Sequence, residues 1–444
     1  MDKAFNFFQQ WYPLTPIEDL DPRRPTPVTV LGQRLVIWKP GNTTEYRVFI
    51  DRCPHRLAPL SEGRVDETTG NLMCSYHGWQ FAVDGNCVAI PQAENPELLA
   101  TPRPQLCATA LPSQSAQGLL WVWMDATSPE LASATALPLS DQIDAEQGFV
   151  WLSLVRDLAY DWQTLIENVA DPSHVPFSHH GVQGNRNQAK PIPIKIIAST
   201  MERIEATIDR VKGKTALPFQ TTITFEPPCR LEYAIKFHDG KQFGLVTYCV
   251  PTLPGKSRIV AQFPRNFGKV MHRLTPRWVE HMLIRNPVLD GDMMLLHQQE
   301  YYLQQQTGAT WNTAYHLPTS ADRLVIEFRR WFDKYCQGHL PWPATNLPAQ
   351  INPDRRVIFD RYQQHTQICS SCKGALQRIQ QIQVALLGGF AIAVALTTVL
   401  PDGSRQSIGI PLMLLALLGL GGFAWLKFYL EPRFRFVDYV HADR

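Results

Sequence analysis

Apolar and polar residues alternate along 28–50 (VTVLGQRLVIW, then EYRVFI), and GLLWVWM at 118–124 is almost continuously apolar. A period of two in short runs, interrupted by cysteine-bearing loops, predicts a small β-domain over residues 1–125 that includes an N-terminal arm. Residues 126–148 are rich in Ala, Ser, Thr and acids. With Pro129 and Pro138 interrupting any regular element there, they read as a linker. Four further β-patterned runs follow between 221 and 263: TTITFEP, RLEYAIKF, GLVTYCV and SRIVAQF. Turn signals such as Asp239-Gly240 and Pro254-Gly255 separate them, which predicts an antiparallel meander. From Pro276 to about Gln306 apolar positions recur every three or four residues, a helical period that Pro287 and Gly291 are expected to break. Residues 149–365 therefore read as an α+β domain with an antiparallel sheet and helices, and no repeat of solenoid period is visible.

The pattern changes in the tail. VALLGGFAIAVALTTVL (384–400) and IGIPLMLLALLGLGGFAWL (408–426) carry no charge. Each is close to the ~17–20 residues that cross a bilayer, so 384–426 reads as a transmembrane hairpin. Lys373 and Arg378 precede it and Lys427, Arg433 and Arg435 follow it, whereas the loop offers Arg405 offset by Asp402. That asymmetry places both ends, including the tail 427–444, on the cytoplasmic side. The mean hydropathy of −0.18 thus averages a polar head with an apolar tail. With 42 basic and 40 acidic residues, a net charge of +2, no global field favours nucleic acid. Nine cysteines, an odd number, argue against a secreted disulfide scaffold. The first residues, MDKAFNFFQQWYPL, resemble neither a signal nor a transit peptide.

The strongest chemical signal is CPH at 53–55 followed by CSYHGW at 74–79. Cys53, His55, Cys74 and His77 are also a possible zinc set. One Cys and one His in each of two loops suits a Rieske [2Fe–2S] cluster, where two thiolates hold one iron and two imidazoles the other. The second signal is ENVADPSHVPFSHHG, 167–181. His174 and His179 would diverge by about 140° on a regular helix. Pro172 and Pro176 make a broken helix end, from which the two imidazoles can converge. Two imidazoles and a carboxylate with open positions form the facial triad of non-haem Fe(II) oxygenases.

Together these motifs resemble the Rieske-type non-haem iron oxygenases, with CxH…CxxH followed by Asn168, Asp171, His174 and His179 in NxxDxxHxxxxH order. Within them the chain is similar to the pheophorbide a oxygenase group, which includes Tic55-type and lethal-leaf-spot proteins. That likeness rests on QWYPL (10–14), DRCPHRLAPLSEGR (51–64), CVAIPQA (87–93), LPTSADR (317–323) and HTQICSSC (365–372) ahead of a membrane hairpin. The resemblance implies a [2Fe–2S] cluster, mononuclear Fe(II), O2, ferredoxin as electron donor and a lipophilic tetrapyrrole substrate such as pheophorbide a or chlorophyllide a. It also implies a homotrimer, in which Asp171 resembles the aspartate linking the cluster histidine of one subunit to the iron histidine of its neighbour. Asn168 goes with Asp171 as a catalytic-site candidate. The carboxylate ligand is expected on a downstream helix, at Asp292 in DMMLLHQQ, with Asp290 as the fallback. Asp292, Leu295, Leu296 and Gln299 share a helical face.

Cys369 and Cys372 form a CxxC with His365 upstream and Lys373 adjacent, in the segment 366–383. Nearby positive charge suits disulfide exchange, hence a redox switch answering to thioredoxin. A zinc site completed by Cys336 and His339 is the rival. Gly419-x-Gly421-x-x-Ala424 lies inside an apolar span and reads as helix packing, not a dinucleotide site. Electrons then come from a partner. Trp162, Trp278 and Trp331 are either pocket walls or core. The expected protein is a membrane-anchored oxygenase of a thylakoid or plasma membrane in a cyanobacterium-like cell. A Rieske electron carrier or redox sensor without oxygenation is the alternative.

Overall fold

Two tight hairpins organise the N-terminal part of the computed structural model, which describes all residues except 1–3, 42, 96–98, 100, 102, 209–218, 307–309, 344–353 and 444. Strands Thr26–Val30 and Gln33–Trp38 turn on Leu31 and Gly32, and Ser113–Ala116 and Leu119–Trp123 turn on Gln117 and Gly118. All four turn residues have positive φ, the backbone whose twist matches that of the flanking strands. Leu31 N and Gly32 N donate to Pro251 O and Thr252 O, each at 2.8 Å, so the first hairpin tip is tied to the second domain's sheet. Four short strands, Arg64–Val65, Leu72–Met73, Gln80–Phe81 and Cys87–Ala89, form a separate small sheet. In the linker Pro129 starts a helix, Pro129–Ala134, instead of preventing one. In the first turn its missing N–H has no partner to lose.

The second sheet has seven antiparallel strands. In spatial order they are Ser153–Leu158, Lys256–Gln262, Gln242–Leu253, Arg230–Phe237, Phe219–Glu226, Ile204–Ile208 and Ile194–Ser199. The four runs between 221 and 263 are consecutive neighbours, as the meander reading requires. Helices Trp162–Ala170 and Arg323–Cys336 pack together through Trp162, Phe328 and Phe332, with ring centroids 5.4–5.7 Å apart. Trp162 and Trp331 are thus core, at 0% and 2% exposure, and Trp278 packs on Phe434.

The helix expected to break at Pro287 and Gly291 runs unbroken from Asn286 to Gln305. Pro287 lies in its first turn, where proline is tolerated. The irregularity falls just upstream, in a π-helical turn at His281–Arg285. Gly291 serves a close approach: a Cβ there would lie 2.6 Å from Ser178 O and 3.0 Å from His179 Nδ1.

Two tail helices are long and apolar enough to cross a membrane, Ser370–Val399 and a run within Asp402–Phe434. The first starts fourteen residues before the apolar stretch, so 370–383 continues the span as one helix. Its Cys372, Ala375, Leu376 and Ile379 are buried against the catalytic part. Gly419 and Gly422 admit Leu386 of the facing helix, with Cβ positions 3.6 and 3.7 Å away. The glycines therefore serve helix packing. Glu431 accepts from Gln380, Gln383, Lys427 and Arg435, joining the open ends of the hairpin.

Candidate active site

The two Cys/His loops repeat one local geometry. Leu57 N donates to Cys53 O at 3.0 Å and Gly78 N to Cys74 O at 3.0 Å; Cys53 N reaches Ala58 O at 2.8 Å and Cys74 N reaches Trp79 O at 2.9 Å. Leu57 and Gly78, each four residues after its cysteine, both have positive φ. This fold-back brings the rings of His55 and His77 to 4.5 Å, and His55 stacks on Trp79 at 4.5 Å and 7°. Both cysteines are buried, whereas His55 is exposed and His77 half-buried. Burial, with Cys74 alongside, pushes the Cys53 thiol up to about 12, so the thiolate form needs a cation beside it. Two sulfurs inside and two imidazoles at the rim fit the donor chemistry of a Rieske cluster.

The second set meets between two helices. Helix Trp162–Ala170 is capped by Asp161, whose carboxylate accepts from Gln163 N, and it ends at Asp171. The short helix Val175–Ser178 follows, with His174 before it and His179 after it. That interruption converges the imidazoles: His174 Nε2 and His179 Nε2 are 3.2 Å apart. Asp292 approaches from the Asn286–Gln305 helix, 3.4 Å from His179 Nε2 and 3.8 Å from His174 Nε2. His174 Nδ1 faces Asp171 O at 2.5 Å, which directs Nε2 inward. Burial and the neighbouring His174 and His441 hold His179 down to about 3, so it is a neutral donor. Burial pushes the Asp292 carboxyl up to about 6, against the pull of His174. Three inward ligands on one side fit a mononuclear iron with free positions.

Asp290 does not come together with the two histidines. It is fully buried, accepting from Arg156 Nη2 at 2.6 Å and from Arg361 Nε at 2.7 Å. Asn168 Nδ2 lies 3.5 Å from His174 Nε2. Asp171 is partly exposed, 4.0 Å from His174 Nδ1, and its Oδ1 accepts from Ser173 N at 2.7 Å. Cys369 and Cys372 come together, but Cys336 and His339 do not join them. Cys336 packs in the main core, and exposed His339 turns Nδ1 to Gln337 O at 3.0 Å. Instead His281 and His365 close on the two sulfurs.

One further residue reaches the site from the C-terminal tail. Beyond the second apolar helix the chain returns to the site, where Tyr439 Oη donates to Ser178 O at 2.9 Å and its ring meets His441 at 5.0 Å. The run FRFVDYVHADR carried the signal, an aromatic and histidine-bearing stretch directly after a span.

Comparison with known proteins places the chain in a family. Residues 10–108 match the Rieske [2Fe-2S] domain and residues 225–310 match the pheophorbide a oxygenase family. The rice (Oryza sativa subsp. japonica) chloroplastic pheophorbide a oxygenase is 38% identical, over 100% of this chain and 86% of its own length. The chain belongs to the pheophorbide a oxygenase family of Rieske-type non-haem iron oxygenases. Its family cofactors are a [2Fe–2S] cluster and a mononuclear iron. Another relative is chloroplastic flavonoid 8-hydroxylase 2 of Ocimum basilicum, 32% identical over 99% of this chain and 87% of its own length. In fold the chain is similar to dicamba monooxygenase bound to dicamba, with a TM-score of 0.60 at 18% identity over 75% of this chain and 98% of that one. The similarity to that solved structure leaves out a quarter of the chain.

Proposed function

We propose that this family member is held in a photosynthetic membrane by its two apolar helices, with head and termini on the cytoplasmic side, and oxygenates a chlorophyll-related tetrapyrrole with electrons from reduced ferredoxin. The carrying observation is the three-donor cluster of His174, His179 and Asp292, because an electron carrier has no use for a centre with free positions. When bound, the [2Fe–2S] cluster supplies single electrons and the iron activates O2. The chain's own residues do the rest. Cys53, His55, Cys74 and His77 would hold the cluster, and the two imidazoles lie beside Leu57 at 66% and Tyr76 at 58% exposure. Such a rim suits a second copy of the chain, and a homotrimer would set it against Asp171 of a neighbour. Asp171 then positions His174 through the Asp171–Ser173 turn, and the Asn168 amide borders the same imidazole.

An open groove of ≈470 Å³ runs along the same helix as Asp292, lined by Leu295, Tyr302 and Tyr315 together with Gln298, Gln299 and Gln306. Its mixed aromatic and amide lining suits the edge of a flat ring. The flavonoid hydroxylase among the relatives supports a second reading, oxygenation of a smaller aromatic ring. Both are tested by offering pheophorbide a, chlorophyllide a and a flavone to the full chain with ferredoxin, a reductant and ¹⁸O2. A labelled tetrapyrrole product is expected. A labelled flavone alone would move the assignment to the smaller ring.

A further inference from the structure

We infer that His281, His365, Cys369 and Cys372 form a closed structural zinc site that bolts the first membrane helix to the catalytic sheet. All four side chains are at 0% exposure. His365 Nε2 lies 3.3 Å from Cys372 Sγ, and His281 Nδ1 lies 3.6 Å from Cys369 Sγ and 3.5 Å from Cys372 Sγ. Tetrahedral zinc with Zn–S of about 2.3 Å and Zn–N of about 2.05 Å separates N from S by about 3.6 Å. The donors thus already stand near the corners of such a tetrahedron.

The outer nitrogens are equally committed. His281 Nε2 faces Ser153 O at 3.1 Å and His365 Nδ1 faces Val155 O at 2.6 Å. Each N–H donates to a carbonyl of the Ser153–Leu158 strand, so each imidazole is the tautomer whose lone pair points at the sulfurs. Backbone carbonyls fixing ligand histidines in this way are the usual outer support of a metal site. Both histidines also sit on π-helical turns, His281–Arg285 and Tyr362–Thr366. Such turns are rare and occur frequently at functional sites.

The charge balance suits a metal as well. Arg277, which donates to Cys369 Sγ at 3.5 Å, is already paired with Glu18 and Asp19. A divalent cation with two thiolates makes the buried site neutral.

A thioredoxin-reducible switch is the competing role for the same pair, and their burial favours the metal. Exchange needs an accessible sulfur, and both are sealed. The positions joined are the strand end at Ser153, the turn leading into the Asp292 helix and the start of the membrane helix. Zinc would therefore fix the active site's height above the bilayer.

The test is zinc analysis of the purified full-length chain in detergent, combined with zinc-edge X-ray absorption. About one zinc per chain with a shell of two sulfurs near 2.3 Å and two nitrogens near 2.0 Å is expected. His281→Ala should lower zinc at least tenfold with iron retained, whereas His339→Ala should leave zinc unchanged. The absorption spectrum of the wild type decides the matter even if His281→Ala does not accumulate. Zinc below a tenth of an equivalent, an oxygen and nitrogen shell without sulfur, or a Cys369–Cys372 disulfide in iron-loaded protein would overturn the proposal.

Discussion

The cluster of His174, His179 and Asp292 and the cluster of His281, His365, Cys369 and Cys372 draw on the same helical segment yet differ in closure. The first brings three donors, with the His174 side chain 23% exposed; the second brings four, all sealed. Three donors leave a metal position for chemistry, and four soft and borderline donors leave none. The chain thus places a reactive centre and a fastening a few helical turns apart, Asp292 on the unbroken helix and His281 on the π-helical turn before it. What distinguishes them is the number and softness of the donors, not their burial alone.

The largest expected effect comes from removing the carboxylate of the open cluster. Asp292→Ala should lower turnover by at least about 10³-fold with loss of one iron and unchanged cluster absorption, read by metal analysis and visible spectra. A variant that keeps its activity would dissolve the contrast between open and closed sites. Asp171→Asn should leave all metals bound and slow turnover about 100-fold, equivalent to about 2.7 kcal/mol in the barrier. Stopped-flow reoxidation of the reduced cluster checks it, and an unchanged rate would remove Asp171 from its role.

Asp290→Ala separates the neighbouring carboxylates by outcome. It leaves Arg156 and Arg361 buried without their shared partner, at a cost of about 3–5 kcal/mol. A lowered thermal midpoint with the iron site intact at permissive temperature is the expected result. Gly291→Ala should weaken iron retention, because the added methyl meets Ser178 O and His179 Nδ1. Strain of about 1–3 kcal/mol is typical of such overpacking, and iron release in a chelator series measures it.

The smallest effect lies outside both clusters. Burial, then the charge of Asp161, pushes Glu300 up to about 8. A carboxyl whose folded value exceeds its unfolded one favours folding fully below the unfolded value, and that advantage is lost as pH rises through the folded value. Glu300→Gln should therefore flatten the decline in stability from mildly acidic pH to above about 8, read as a shallower slope of the thermal midpoint against pH. Parallel slopes for variant and wild type would contradict it.

Local spacing explains which parts were legible. CxH and CxxH define their loops within a few residues, and the prolines around His174 and His179 announce the break that lets them converge. Asp292 could be ranked above Asp290 from helical phase, and the two buried arginines around Asp290 account for why that carboxylate was there at all. His281 and His365 were different. They lie 84 residues apart and meet because both donate to carbonyls of one strand, a tertiary fact with no local trace. Cys336 and His339, at attractive CxxH spacing, end up in the main core and on the surface. The helix runs unbroken through Gly291 because a glycine that marks flexibility in isolation here marks close packing.

The central claim is that the chain carries an open iron centre in addition to its cluster, and iron counting in the full-length protein addresses it directly. About three irons per chain, falling to about two in Asp292→Ala with the cluster spectrum unchanged, is the predicted result. About two irons in the wild type, all accounted for by the cluster, would contradict it.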